Sequence, residues 1–327
     1  MKICFIGASG HSSAVARSGR LAAVTPAGIA AGSKGESIDN MYKYLCGAGH
    51  SPEKYDDYIK MLDELRPDAV IVDNYYGDHA AASIEALKRG AHVLADKPLA
   101  TTLDDLDKLK KEQAKSGRQI AAMFTMRFET EFRAAHQIVK SGQIGDVRII
   151  NAQKSYRLGA RPDFYKSRKS FGGLIPWVGI HAIDLIYLMT GKQFAYIDAS
   201  CSSQSNANHG DLDVTAAANF ILEGDILATV TIDYLRPSAA PSHGDDRLRV
   251  VGSSGIVEVL KNKVTLIDKE GERELALTAD SHHTHTDMFA DFLDYIDGRE
   301  SLLNTEEAFY ITETAIRAQI SADEKRA

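Results

Sequence analysis

The chain has 327 residues, of which 44% are hydrophobic and 25% charged; that length exceeds what one core usually spans, so two domains are expected. With 38 basic and 45 acidic side chains the formal net charge is −7, which gives no reason to invoke nucleic acid or an anionic membrane surface as a partner. Cys4, Cys46 and Cys201 are too few and too scattered for a disulfide framework or a CxxC metal site, and buried reduced thiols are expected.

The apolar start before Gly7 is too short for a signal segment, and no run approaches the length of a transmembrane helix, so a cytoplasmic protein is expected. To about residue 120, short apolar runs alternate with helical periods. The runs fall at Lys2 to Ile6, Gly28 to Ala31, Ala69 to Val72, His92 to Ala95 and Gln119 to Phe124, each suited to a strand buried on both faces. The clearest helix between them covers 102–116, with Leu103, Leu106 and Leu109 on one face, Thr102 as cap and Gly117 as stop. Repeated strand, helix, strand implies parallel pairing with right-handed crossovers.

The first strand runs into "GASGHSSAVARSG". Gly7 ends the strand, Ser9 and Gly10 permit a tight turn close to a phosphate, and a helix starting near Ser12 would offer its free amides to a pyrophosphate. His11 and Ser12 complete this degenerate glycine fingerprint, which gains weight from its place at the head of a βαβ series. About twenty residues on, where an acidic residue usually holds the ribose of NAD, the chain reads Gly32, Ser33, Lys34. A hydroxyl and an ammonium suit a 2′-phosphate, which favours NADP; Glu36, two residues further, restores an acidic partner and NAD if the strand ends slightly later.

After about residue 146 the rhythm changes. Runs such as "DVRIINAQKSY", "VTAAANFIL", "ILATVTIDYL" and "RLRVVGSS" follow one another with Gly or charged turns between them, as in a mostly antiparallel sheet. A helix is expected over Ile180 to Met189, and two more close the chain at Asp287 to Ile296 and Thr305 to Ile320. Residues 1–122 therefore form a dinucleotide-binding Rossmann domain and 123–327 an α/β domain with a large open sheet, the last helix packing back on the first domain.

One segment is unusual for a buried strand end: "AHVLADKPLATT" places Asp96, Lys97 and Pro98 after an apolar run. Pro98 forbids continuation of the strand and holds Lys97 extended, which aims the ammonium into a cleft. His181 and Asp184 share a face of their predicted helix; a histidine there exchanges protons near neutral pH, and Asp184 orients the ring or only solvates the helix. "SYRLGARPDFY" offers Tyr156, Arg157, Arg161, Asp163 and Tyr165 to a polyol, and "PSHGDDRLRV" offers His243, Asp245, Asp246 and Arg247. "SHHTHTD" suggests a metal but lacks a recognised ligand spacing, so a solvated loop and no metal are expected.

"ALKRGAHVLADKPLATT" resembles the signature of the Gfo/Idh/MocA family, named for glucose–fructose oxidoreductase and inositol dehydrogenase, which usually has Glu where this chain has Asp96. "FGGLIPWVGIHAIDLI" is similar to its second signature, and "FTMRF", "SGQIGDVRII" and "RPDFY" match landmarks between them. The resemblance covers essentially the whole chain. It implies an NAD(P)-dependent oxidoreductase acting on a secondary alcohol or ketone of a sugar, glycoside or cyclitol, and a homodimer or homotetramer formed through the open sheet. It implies a cis peptide before Pro98, cofactor contacts at Asn74, Tyr75, His79, Asp96, Lys97 and Arg127, alkoxide stabilisation by Lys97, and proton exchange by His181. It also leaves two rivals, a glycosidase with tightly held NAD and a non-catalytic nucleotide or sugar sensor. The departure is Trp177, the only tryptophan, where many members carry Asp. Trp177 either presents an aromatic face to a sugar ring or belongs to the core.

Overall fold

The computed structural model describes residues 1–277 and 287–326; "SHHTHTD" lies, but for its last residue, outside them. The chain divides into two compact units, each discontinuous in sequence. Unit 1 comprises Met1–Thr125, Lys169–Gly172 and His285–Glu313, and unit 2 comprises Met126–Arg168, Gly173–Thr284 and Thr314–Ala327.

Unit 1 is built on a parallel sheet of six strands: β1 (Lys2–Gly7), β2 (Thr25–Ala30), β3 (Glu53–Tyr55), β4 (Ala69–Asp73), β5 (His92–Ala95) and β6 (Ile120–Ala122), in the spatial order β3-β2-β1-β4-β5-β6. The central strands are uninterrupted apolar runs because helices cover both faces; every residue of β4 is buried. Two strands depart from the sequence reading. β2 starts at Thr25 because Pro26 can still lie at its beginning. β3 is three residues, with both Glu53 and Lys54 exposed, and so carries no apolar signal. The order reverses direction between β1 and β4, and ligands of such sheets sit beyond the carboxyl ends of the strands at that point.

The helix Leu103–Ser116 forms as its sequence dictates. The Thr102 hydroxyl accepts the Asp105 amide at 3.1 Å, and Gly117 ends the helix in the left-handed conformation with φ 65°. Leu106 and Leu109 are buried, whereas Leu103 is half-buried at the first turn.

Unit 2 is built on an eight-stranded sheet: β7 (Val147–Tyr156), β8 (Phe194–Ser202), β9 (Thr215–Leu222), β10 (Ile226–Asp233), β11 (Gly244–Gly252), β12 (Ile256–Leu260), β13 (Lys263–Asp268) and β14 (Gly271–Glu274), in the order β14-β13-β12-β11-β7-β10-β9-β8. All neighbours are antiparallel except β10 with β7. Strict alternation buries Ile150, Ala152 and Lys154 of β7 and leaves Asn151 and Gln153 on the other face. The helix Ile180–Thr190 packs on the buried face and is entered through a π-helical turn, Ile175–Gly179, a local widening common at functional sites. Against the sequence expectation, the helical stretch Arg168–Thr190 is long and apolar enough to cross a membrane, yet 89% of its most apolar window is buried inside the protein.

The Thr102 cap provides a direct check on the helix account. Thr102→Ala should lower stability by about 1 kcal/mol, read as a lower urea midpoint with an unchanged slope; an unchanged midpoint would show that the cap contributes nothing.

Candidate active site

In unit 1 the glycine loop is pressed against the ends of β4 and β5. Gly7 has φ +85°, and a Cβ there would lie 2.3 Å from the Asn74 amide nitrogen. At Gly10 a Cβ would lie 1.8 Å from Asp96 Oδ2 and 2.6 Å from Asp73 Oδ1, and at Gly32 it would meet Asn74 and Ile6 side-chain carbons at 2.6 Å. These positions admit only glycine because three loops converge on one point.

Two wholly buried carboxylates meet beneath Gly10. Asp73 accepts the Ser12 amide at 3.0 Å. Asp96 accepts the His11 amide at 3.1 Å, the His11 Nδ1 at 3.0 Å and the Lys97 amide at 2.8 Å. Burial pushes Asp73 up, and the charge of Asp96 pushes it further, well above the usual carboxylate range. Burial also opposes ionisation of Asp96, but the charge and hydrogen bond of His11, then Lys97, outweigh it and hold Asp96 below that range. The two carboxylates are thus driven apart, Asp96 toward the ionised form against His11 and Asp73 toward the protonated form. The sequence reading missed Asp73, whose only signal was an acid closing an apolar run.

Lys97 is 2% exposed, and the Lys97–Pro98 peptide is cis. His79 is wholly buried, with Nδ1 2.8 Å from the Pro98 carbonyl and Nε2 3.0 Å from the Asn74 carbonyl. The expectation of a cofactor contact at His79 is corrected accordingly: both ring nitrogens are spent on backbone, so the residue braces the Asn74 and Pro98 loops. Asn74 is wholly buried, and its side-chain nitrogen and oxygen have no partner among the described residues. An orphaned amide beside a loop that tolerates no side chain fits a dinucleotide.

Glu36 bears on which dinucleotide. Its carboxylate accepts the Ala8 amide at 3.0 Å, the Ser9 hydroxyl at 2.5 Å, the Gly32 amide at 3.0 Å and the Ser33 amide at 3.2 Å. Ser33, expected at a 2′-phosphate, donates its hydroxyl to Asp78 at 2.6 Å and accepts the Tyr75 amide at 3.1 Å. The acid therefore occupies the place where sequence gave first weight to Ser33 and Lys34.

In unit 2, His181 and Asp184 are buried on the helix Ile180–Thr190. The Asp184 carboxylate accepts Arg127 Nε at 3.0 Å and Nη2 at 2.5 Å, with both side chains 1% exposed. Arg127, expected at the cofactor, is thus the counter-ion that lets Asp184 be buried as a charge. Trp177, 8% exposed, lies in the π-helical turn, which packs on β10, the strand that leads into Tyr234.

Tyr156 stacks on His243 with ring centroids 5.4 Å apart, so two residues expected at the substrate do meet. Asp163 does not join them: its side chain is 90% exposed and paired with Lys166 at 2.6 Å. Tyr165 is buried, under Arg161. Sequence reading also missed Lys154, 1% exposed, whose ammonium lies 2.5 Å from Asp246 Oδ2 and 4.9 Å from the Tyr156 ring centre. Burial works against that ammonium, and Tyr156 with Asp246 outweighs it. Glu129, which also feels Lys154, is pushed up to about 7 by burial.

Among the described residues no group of His, Cys, Asp and Glu forms a metal site.

A doubly wound sheet with a glycine loop at its switch point is the arrangement of a dinucleotide-binding fold, and it is accompanied by an α/β unit carrying a buried histidine. Residues 3–124 match the oxidoreductase family with an NAD-binding Rossmann fold, and residues 132–258 match the GFO/IDH/MocA C-terminal domain; the chain belongs to the GFO/IDH/MocA family. A putative oxidoreductase from Thermotoga maritima is 40% identical, with a TM-score of 0.94 over 99% of this chain and 98% of that one. Myo-inositol 2-dehydrogenase of Thermotoga maritima is 27% identical over 67% of this chain and 65% of its own length. The myo-inositol 2-dehydrogenase structure from Lactobacillus plantarum shares the fold, with 21% identity and a TM-score of 0.77 over 99% of this chain and 98% of that one. The match to curated relatives thus spans less than two thirds of their length.

The carboxylate pair yields a pH prediction. Asp73 has its folded pKa raised, so the stability it allows is fully present below the ordinary carboxylate pKa and is lost as pH rises through the folded value. Asp73→Asn fixes the uncharged form and should raise the Tm relative to the parent at pH 9 more than at pH 5. An equal shift at both pH values would show that Asp73 does not change its charge between them.

Proposed function

We propose that the protein is an NAD-dependent dehydrogenase acting on a secondary alcohol or ketone of a sugar, glycoside or cyclitol. The observation that carries this reading is the buried Lys97, fixed by Asp96 and Pro98 at the carboxyl end of β5 beside the glycine loop. When bound, nicotinamide supplies the acceptor or donor of hydride. The chain supplies everything else. Gly7, Gly10 and Asn74 form the cradle, and the Glu36 carboxylate, held by the Ala8, Ser9, Gly32 and Ser33 donors, repels a 2′-phosphate by its charge. Lys97 stabilises negative charge on the substrate oxygen as the C–H bond is lost, and His181 takes the hydroxyl proton. In the reverse direction His181 returns that proton to the oxygen of the ketone as carbon gains hydride.

Trp177 contributes no acid or base, so proton exchange rests on His181. Arg127 neutralises Asp184 and holds its helix face in place behind His181. We further assign self-association to the open face of the eight-stranded sheet, where Tyr196, Ile221 and Leu227 are exposed on adjacent strands.

Lys97→Met should lower kcat on a responsive sugar or cyclitol by about three orders of magnitude while leaving the Kd for NAD within a few-fold. Full activity in that variant would remove Lys97 from the reaction. Glu36→Ser, with Lys34 retained, should shift the ratio of kcat/KM for NADP over NAD upward by at least about tenfold. An unmoved ratio would return the 2′-phosphate to Ser33 and Lys34.

A further inference from the structure

We infer that unit 2 contains a subsite for an anionic group on the sugar, a carboxylate or a phosphate ester, built on Arg161 and Arg157. The inference rests on the dehydrogenase reading above and names its substrate class.

The two arginines flank the turn "RLGAR" that leaves β7. The Arg161 guanidinium carbon lies 4.5 Å from the ring centre of Tyr234 and 5.4 Å from that of Tyr165. Two aromatic faces fix the plane of the guanidinium without using its N–H donors. Its Nη2 donates to the Arg157 carbonyl at 3.1 Å, and Arg157 Nη2 donates to the Ala240 carbonyl. The Nε of each arginine is buried with no hydrogen-bond partner.

Among the described residues neither is paired with an acid. The acids of the neighbourhood are taken: Asp163 by Lys166, Asp246 by Lys154, and Asp245 by Arg236 and Arg247. His243, stacked on Tyr156, cannot balance them either; burial and then the charges of Arg161 and Arg157 hold it below its ordinary range, toward the neutral ring. Two half-buried guanidiniums side by side without a counter-ion weaken the fold. A fork of N–H donors held flat in that state matches the geometry of a carboxylate or phosphate. Arg161 rests on Tyr234, which directly follows β10, and β10 packs on the π-helical turn that carries Trp177, four residues before His181 on the same helical run.

Trp177 is the only tryptophan of the chain and therefore an intrinsic reporter that needs no turnover. The full chain is titrated with glucose, glucuronate and glucose 6-phosphate, and with galactose and galacturonate, with acetate and inorganic phosphate as anion controls. A saturable fluorescence change should appear with an anionic sugar at a Kd at least about tenfold below that of its neutral parent. Tighter uronates assign a carboxylate, and tighter glucose 6-phosphate assigns a phosphate ester. Arg161→Gln should abolish the discrimination and Arg161→Lys should retain part of it. Arg157→Gln is the second variant should Arg161→Gln fail to fold, with folding checked by its Tm.

Equal affinity for neutral and anionic sugars, unchanged discrimination in a folded variant, acetate or phosphate binding as tightly as the sugars, or silence throughout would each overturn the subsite. Hydride transfer to neutral cyclitols would leave the dehydrogenase reading standing in any of those cases.

Discussion

The approach of the glycine loop to the ends of β4 and β5 is the constraint on which unit 1 depends. Amides of a helix first turn ordinarily point outward at a phosphate. Here the His11 and Ser12 amides point inward, to Asp96 and Asp73. The loop therefore keeps its shape through its own protein, and Gly10 must be glycine because the two carboxylates occupy the space of any side chain. The arrangement concentrates carboxylates where an anionic cofactor must come, and the opposed shifts ease that conflict: burial and Asp96 favour the uncharged form of Asp73, and the charge of Asp96 is balanced by His11 and Lys97. Lys97 is thereby tied to the glycine loop, since the carboxylate that takes its amide also takes the His11 amide.

Unit 2 solves a similar problem with pairs. Arg127 with Asp184, and Lys154 with Asp246, place four charges inside or at the edge of an apolar layer. Such pairs rarely add net stability, but removing one partner strands the other. Each joins separate elements: Arg127 precedes the helix that ends at Lys140 while Asp184 lies on Ile180–Thr190, and Lys154 and Asp246 face each other across β7 and β11. They fix the register of the layer that carries His181.

Much of this was legible in the sequence, and the exceptions share causes. The parallel sheet followed from apolar runs, the helix Leu103–Ser116 from its cap and leucines, and Lys97 from the conflict between an apolar strand and its polar end. β3 was invisible because a three-residue edge strand with two exposed charges has no apolar face. Lys154 was hidden because alternation assigns a strand position to a face without saying that a buried face carries a charge, and its partner Asp246 lies 92 residues away. Glu36 was seen, but its role depends on how the chain curls between Gly32 and Glu36, a matter of backbone geometry. His79 and Asp163 have the right chemistry for a site, and only the structure shows one spent on carbonyls and the other turned to solvent beside Lys166.

Trp177 and the arginines of unit 2 belong to one change in charge. An aspartate at 177, as many relatives of this family carry, would put a negative charge in the π-helical turn that packs on β10, the strand that leads into Tyr234, on whose ring Arg161 rests. With tryptophan there, the turn brings no charge toward Arg161, which rests on the rings of Tyr165 and Tyr234. In the proposed reading the anion that balances the arginines arrives with the ligand, and proton exchange is left to His181.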